Sequence, residues 1–236
     1  MMTELTLPII GYMHSSYKEK FGIPRQPNLV QVESYIEMLA PYNDVLAFEG
    51  IEAFSHLWLL WQFHDNKNPE KTQFRPQVRP PRLGGNKKIG VFATRSMYRP
   101  SQIGLSVVRL KCVKKEGKSV RVYVTGSDLL DGTPIVDIKP YIHYSDAVIN
   151  AESGYAQDEP KRKSVIWSDR AIEQKQQLLM SEKLSVQTAQ ELEAVLSLDP
   201  RPAYQDDEAR VYKMKFAAVD IAFTVGETTV NITAVE

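Results

Sequence analysis

The sequence predicts a mainly β protein, with a closed β-barrel in an N-terminal domain (1–148) and a small α+β domain behind it (149–236). Three observations carry that expectation. Up to about residue 145 the chain breaks into about seven short runs of β-branched and apolar residues separated by Pro, Gly and Asp turns. Closing such strands into a barrel removes their unpaired edges. Helix start signals appear only later, at Ser168-Asp169 and Ser185. The chain has 236 residues and is 43% hydrophobic, enough for a packed core.

Taken in order, LTLPIIGYMH has the bias of a first strand, and PRQPNL, with two prolines, must be a loop. DVLAFEGI alternates, and Phe54-Ser55-His56 leads into LWLLWQFH, a buried strand. NKNPEKTQ is polar and loop-like. RPQVRPPRLGGN cannot be a helix, and Gly84-Gly85-Asn86 marks a turn. KIGVFATR reads as a strand. LSVVRLKCVKK and SVRVYVTG form a hairpin across Glu116-Gly117-Lys118. PIVDIKPY follows the Asp131-Gly132 turn. After the polar connector INAESGYAQDEPKRK come two serine-capped helices, the second ending before Pro200, and then two or three antiparallel strands.

Lys+Arg and Asp+Glu both number 29, but they are unevenly placed. Twelve of the cations fall between Lys71 and Lys115, a window with no Asp or Glu. This points to a polyanion-binding face, although a barrel could also scatter those side chains around its circumference. The single cysteine, Cys112, excludes an internal disulfide and a cysteine zinc finger, and reads as a small core residue. The four histidines show no metal-ligand spacing, so no metal is expected. His56 and His64 flank the Trp-containing strand, either as structural groups or, for His64, as a ligand contact. No apolar run approaches the ~18 residues of a membrane span. The start, MMTELTLPII, does not read as a secretory signal, so a cytoplasmic protein with no membrane partner is expected. Rossmann, P-loop and nucleophile-elbow fingerprints are absent.

Residues 90–106 read GVFATRSMYRPSQIGLS. Arg95 and Arg99 lie four apart around Tyr98, on a segment that Pro100 keeps from being helical. Two guanidiniums and a ring on a rigid turn suit an anionic or π-rich ligand. This segment resembles the signature of the TrmO (YaeB/TsaA-like) family. So do YKEKF at Tyr17–Phe21, PRQP at Pro24–Pro27, EAFSHLW at Glu52–Trp58 and RPPRLGGN at Arg79–Asn86. DLLDGTPIVDIKPY at Asp128–Tyr141 and DPRPAY at Asp199–Tyr204 complete the match, in order along nearly the whole chain. Ser101-Gln102 replaces the family's Asn-Pro, and His14-Ser15-Ser16-Tyr17 stands where the family has R-S-P-Y. Gln102 in place of proline is expected to loosen the turn.

The resemblance implies an S-adenosyl-L-methionine-dependent tRNA methyltransferase of a β-barrel class. Its implied product is N6-methylated threonylcarbamoyladenosine beside the anticodon of threonine tRNA. It also implies a homodimer whose partner is the tRNA anticodon stem-loop. Carried over by motif, the donor site includes Pro24, Arg25, Gln26, His64, Asp65, Arg95, Leu105, Asp128, Leu129, Leu130 and Asp131. Carboxylates and aromatic faces suit a sulfonium, and arginine suits the donor's carboxylate. Asp137, Lys139 and Tyr141 alternate and so can share one face of a strand. They are the candidate catalytic group, with Asp137 or Tyr141 as base and Lys139 orienting it. Arg82, Lys87, Lys88, Tyr98 and Arg99 are the candidate RNA contacts, through phosphate and base stacking. The competing reading is a non-catalytic RNA-binding barrel, which would bind RNA but no donor.

Overall fold

The computed structural model describes residues 4–65, 74–202, 205 and 207–236. Its first half contains β1 (Gly11–His14), β2 (Glu33–Met38), β3 (His56–Gln62), β4 (Gln77–Val78), β5 (Ile89–Gly90), β6 (Ile103–Glu116), β7 (Ser119–Thr125) and β8 (Pro134–Pro140). Six of these close into a barrel in the order β1-β2-β7-β6-β3-β8, every neighbouring pair antiparallel. The remaining two, β4 and β5, form a small separate ladder. Inward positions alternate with outward ones, as a period of two requires. Met13, Ile36, Leu57, Leu59, Val108, Val122, Val124 and Ile135 fill the interior and are fully buried.

The second half holds α1 (His143–Asp146), β9 (Ser164–Trp167), α2 (Asp169–Met180), α3 (Val186–Leu196), β10 (Tyr212–Phe216), β11 (Val219–Val225) and β12 (Thr229–Val235). The sheet runs β10-β11-β12-β9. Ser168 Oγ accepts from the Ala171 N–H and Ser185 Oγ from the Thr188 N–H, capping α2 and α3 as their sequences predict. A second core forms here around Leu192, Leu196, Phe216, Ile221, Phe223, Val230 and Ile232. It also takes Tyr17, Val30 and Val32 from the loop between β1 and β2. In that loop Phe21 stacks near Tyr212 and Phe223, at centroid distances of 6.3 and 6.2 Å. Thus a long connection of the barrel is packed as part of the C-terminal core.

Several local expectations are corrected. DVLAFEGI is two 3-10 turns, Val45–Phe48 and Ile51–Ala53, not a strand. Asp44 caps the first through the Leu46 N–H, and Gly50 at φ +82° separates them. None of the turn residues is fully buried, although Phe48 and Ile51 pack against the barrel core. In KIGVFATR the strand stops at Gly90, and Val91–Ala93 is a 3-10 turn closed by Thr94 Oγ1 on the Val91 carbonyl. In LTLPIIGYMH the strand begins only at Gly11. Cys112 is half-buried at a bulge opposite Tyr123, outside the barrel core. The strands β2, β4 and β9 lie outside the expected strand runs, and β9 adds to β12 in parallel, a pairing set by tertiary packing. The loop expected at NKNPEKTQ lies outside the described residues, as do Ala203 and Tyr204 of DPRPAY.

The barrel closes tightly where β3 meets β6. Trp61 pairs with Gly104, and a Cβ added there would lie 2.3 Å from the indole ring. Gly104→Ala is expected to destabilise the protein by about 1–3 kcal/mol through overpacking, measured as a lower urea midpoint with an unchanged slope.

Candidate active site

An antiparallel barrel sends alternate loops to opposite ends. The β1–β2, β3–β6 and β7–β8 connections therefore emerge together at one end of this barrel. All the donor-site candidates lie on these three loops except Leu105, which sits near the start of β6. The end is thus assembled from segments distant in sequence, and its hydrogen bonds show how.

The 126–133 loop is built first by backbone conformation. Gly126 has φ +82°, and a Cβ there would meet Asn28 Oδ1 at 2.3 Å. The Asn28 N–H donates to the Gly126 carbonyl (2.8 Å), and its Nδ2 donates to the Val107 carbonyl (2.9 Å). Ser15 then ties the loop to the end of β1. Its N–H donates to Asp131 Oδ1 (2.9 Å) and its hydroxyl to the Leu129 carbonyl (2.9 Å). The Asp131 N–H in turn donates to the Tyr17 carbonyl (2.9 Å), and Lys18 Nζ reaches Asp131 Oδ2 at 2.9 Å. Leu129 is fully buried. Leu130 accepts from Thr133 Oγ1 through its carbonyl (2.6 Å).

Asp128 holds the most deeply placed carboxyl of this loop. Trp61 Nε1 donates to Ser106 Oγ (3.0 Å), and the Ser106 hydroxyl donates to Asp128 Oδ1 (2.6 Å). The residue keeps part of its surface, but its carboxyl lies deep enough for burial to raise its pKa above the ordinary carboxylate value. The Ser106 hydrogen bond, the residue's own N–H and the Arg95 charge act in the opposite sense. His64 Nε2 lies beside Gly132, 3.9 Å from where a Cβ would stand. Asp65, at φ +56°, accepts from Lys20 Nζ through its carbonyl (2.6 Å).

The signature turn is closed rather than loosened. Gln102 has φ +50°, which the ring of proline cannot adopt, and its N–H donates to the Arg99 carbonyl (3.3 Å). Arg99 folds back on the turn, with Nε donating to the Ser96 carbonyl (3.1 Å) and a terminal nitrogen to the Thr94 carbonyl (2.6 Å). This leaves Arg95 exposed, with one nitrogen donating to Gln26 Oε1 across the gap between two loops (2.6 Å). The Arg75 guanidinium covers one face of the half-buried Tyr98 ring at 4.1 Å. Arg82, Lys87 and Lys88 are exposed on the β4–β5 connection.

The catalytic candidates lie elsewhere, on the outer barrel face. Asp137 and Lys139 form an ion pair at 2.8 Å. Asp137 pairs across to Leu60, and Leu60 to the exposed Leu105. Asp137 therefore lies across one strand from Leu105, roughly 10 Å at the usual strand spacing. Tyr141 lies beyond β8 at the opposite barrel end, roughly 23 Å from the first residue of that strand by the ordinary rise. It packs near Trp58 (5.9 Å) and His56 (6.2 Å), away from the donor loops of the same chain. Trp58 Nε1 donates to Asp146 Oδ2 (2.9 Å), which lays α1 against this face.

A closed six-stranded barrel with these three loops at one end, followed by a four-stranded sheet, can be compared with known proteins as a whole. The family model for the tRNA-methyltransferase O N-terminal domain matches residues 12–147, and that for the TrmO C-terminal domain matches 160–236. The chain belongs to the TrmO family. It is 45% identical over 208 residues to the tRNA (adenine(37)-N6)-methyltransferase of Escherichia coli (strain K12), covering 88% of this chain and 86% of that protein. A Pseudomonas aeruginosa protein whose name describes S-adenosylmethionine-dependent methyl transfer is 45% identical over 223 residues, covering 93% and 92%. The crystal structure of TrmO from Pseudomonas aeruginosa superposes with a TM-score of 0.78 at 35% identity, covering 100% of this chain and 99% of that one.

Two polar groups at this barrel end, Ser106 and Ser15, carry no signal in the sequence. Ser106 ends the GVFATRSMYRPSQIGLS segment, but its link to Asp128 and Trp61 depends on pairing across β3 and β6. Ser15 is buried and binds the 129–131 segment more than a hundred residues away, which no local pattern reveals. No helix among the described residues is long and apolar enough to cross a membrane.

Because burial raises the Asp128 pKa in the folded chain, the folded protein binds its proton more tightly than the unfolded chain does. Stability contributed by the protonated carboxyl is present below the unfolded value and is lost as pH rises through the folded value. Asp128→Asn is therefore expected to gain stability relative to the parent as pH rises over that window. Paired urea melts from acid to neutral pH measure the difference; a constant gap would remove the buried-carboxyl account.

Proposed function

We propose that this chain transfers the methyl group of S-adenosylmethionine to N6 of adenine 37 in tRNA. The acceptor nitrogen, on the finer reading, already bears a threonylcarbamoyl group, and the tRNA is a threonine tRNA met in the cytoplasm. The observation that carries the reading is the convergence of Gln26, Arg95 and Asp128 at one barrel end. These residues suit the donor in kind. Arg95 offers a guanidinium for its carboxylate, and Asp128 offers a shielded carboxyl for its hydroxyls or cationic sulfonium. Pro24 and Arg25 shape the wall that carries Gln26. His64 and Asp65 border the same end, and Leu129 to Asp131 set the loop that carries Asp128.

When bound, the donor supplies an activated methyl group, which leaves orientation as the main work of the protein. Accepting that methyl group would require N6 to give up its proton to a group supplied by the chain. That nitrogen is weakly nucleophilic because it is conjugated with the purine and a carbonyl. Asp137 is the proposed proton acceptor, held in place by Lys139. Tyr141 is too far from the donor loops of its own chain to act there, and serves only across a homodimer. Exposed Leu105, Tyr144, Val148 and Ile149 favour such a dimer, with the outer barrel face buried. Arg82, Lys87 and Lys88 meet RNA phosphates and Tyr98 stacks on a splayed base. Arg99, whose donors close the signature turn, acts by holding Arg95 and Tyr98 in place.

Titration calorimetry with S-adenosylmethionine is expected to show saturable binding that Arg95→Ala weakens by about tenfold or more, the loss of one charge-assisted contact. Folded protein that binds tRNA but no donor would leave the RNA-binding module as the better account. Asp137→Asn is expected to lower kcat for methyl transfer to threonine tRNA by about a hundredfold or more with donor affinity unchanged. Full turnover at saturating tRNA would remove the base role.

A further inference from the structure

We propose that the cavity between the β1–β2 loop and the end of α3 is a subsite for an anionic group of the acceptor RNA. This inference rests on the methyl-transfer reading and goes beyond it by naming where the RNA enters the C-terminal half. The cavity has a volume of about 440 Å³, with residues 20–25 and 29 forming one wall and residues 198–202 and 205 the other. Ligand sites commonly span about 300–1,000 Å³, so it is large enough for a nucleotide-sized group.

Its charge favours an anion. Among the described lining residues Lys20, Arg25 and Arg201 are cationic and Asp199 is the one carboxylate. Asp199 is already neutralised, because Arg201 donates to both of its oxygens (2.9 Å each) and Lys163 Nζ stands 3.2 Å from Oδ2. Arg201 is buried and so fixed, and Arg25 is anchored by one donor to the Arg201 carbonyl (3.1 Å). Lys20 reaches the Asp65 carbonyl (2.6 Å), which keeps it at the border with the donor end. Four prolines line the walls, giving a rigid and partly apolar setting in which a charge contact is stronger than in open water.

The position of the loop separates this cavity from the donor site while keeping them adjacent. Neighbouring residues of one loop point two ways, Gln26 to Arg95 of the signature turn and Arg25 to Arg201 of the C-terminal segment. An anion held at Arg25 would therefore adjoin the bound donor without occupying its place. Two anions of the acceptor share this chemistry, a backbone phosphate and the carboxylate of the threonylcarbamoyl group.

The test uses the full chain, S-adenosylmethionine, and two anticodon stem-loop RNAs. One carries threonylcarbamoyladenosine at position 37 and the other carries the same group with its carboxyl converted to an amide. Gln205→Glu places a negative charge at the cavity and Leu198→Trp fills it. Both are expected to bind S-adenosylmethionine within twofold of the parent while KM for the carboxylate RNA rises about tenfold or more. A rise confined to the carboxylate RNA assigns the cavity to the carboxyl; an equal rise for both RNAs assigns it to phosphate. Gln205→Glu decides if Leu198→Trp fails to fold. Unchanged KM values, or donor affinity lost in step with KM, would overturn the subsite. Absence of donor binding by the parent chain would instead remove the methyl-transfer reading beneath it.

Discussion

Ser15 makes the contact on which both halves of the molecule depend. Its N–H and hydroxyl hold Asp131 and Leu129, and its hydroxyl also accepts from the Tyr17 N–H (3.3 Å). Two residues further on, the Tyr17 side chain enters the C-terminal core, where its ring meets Phe216 edge-on at 5.9 Å. The backbone bridge between Tyr17 and Phe216 adds a second tie. A segment of three residues therefore fixes the 128–131 loop relative to the barrel and relative to the second core. Loops that carry binding groups are mobile unless tied in this way. Here the tie comes from packing in a part of the chain that supplies none of the donor-site residues.

The C-terminal half thereby acquires a physical role without supplying the donor-site residues. It buries Phe21, Val30 and Val32 of the β1–β2 loop, and so sets the direction in which Arg25 and Gln26 leave that loop. Arg162 adds to this by donating to the Leu29 carbonyl and to Ser197 Oγ. Removing the second core would release this loop, and with it the partner of Arg95. The two halves of the chain are separate runs of sequence but share one wall of the site.

What could be read from the sequence divides along physical lines. The β6–β7 hairpin, the Trp-containing strand β3 and both serine-capped helices follow from local chemistry: period-two patterning, turn glycines and an Ncap oxygen. DVLAFEGI alternates yet forms no strand, because the Asp44 cap and the left-handed Gly50 turn the segment, and Phe48 and Ile51 reach the barrel core from turns instead. Parallel pairing of β9 depends on a partner over sixty residues away and has no local signature. The donor-end residues could be listed from motifs, yet their arrangement came from barrel closure. Asp137 and Lys139 do share a face, as alternation requires, but the strand that carries them leads away from the donor loops.

The same reasoning explains why the described cations between Arg75 and Lys115 do not lie on one continuous surface. Barrel closure assigns its members to different environments. Arg99 is drawn into the signature turn and Arg75 lies over Tyr98, whereas Lys111 pairs with Glu33 and Lys114 lies over Tyr123 on the outside of β6. Charge density along a sequence measures a potential RNA face only where the chain keeps neighbours together in space. In this barrel that holds for the β4–β5 connection, where Arg82, Lys87 and Lys88 remain exposed, and fails along β6, where alternation and cross-strand acids dissipate it. The cations that matter most to the proposed chemistry, Arg95 and Arg25, are set apart by having their partners on other segments. A site built at the junction of two cores gains its specificity from those long-range contacts, and local charge adds only the attraction that brings RNA to it.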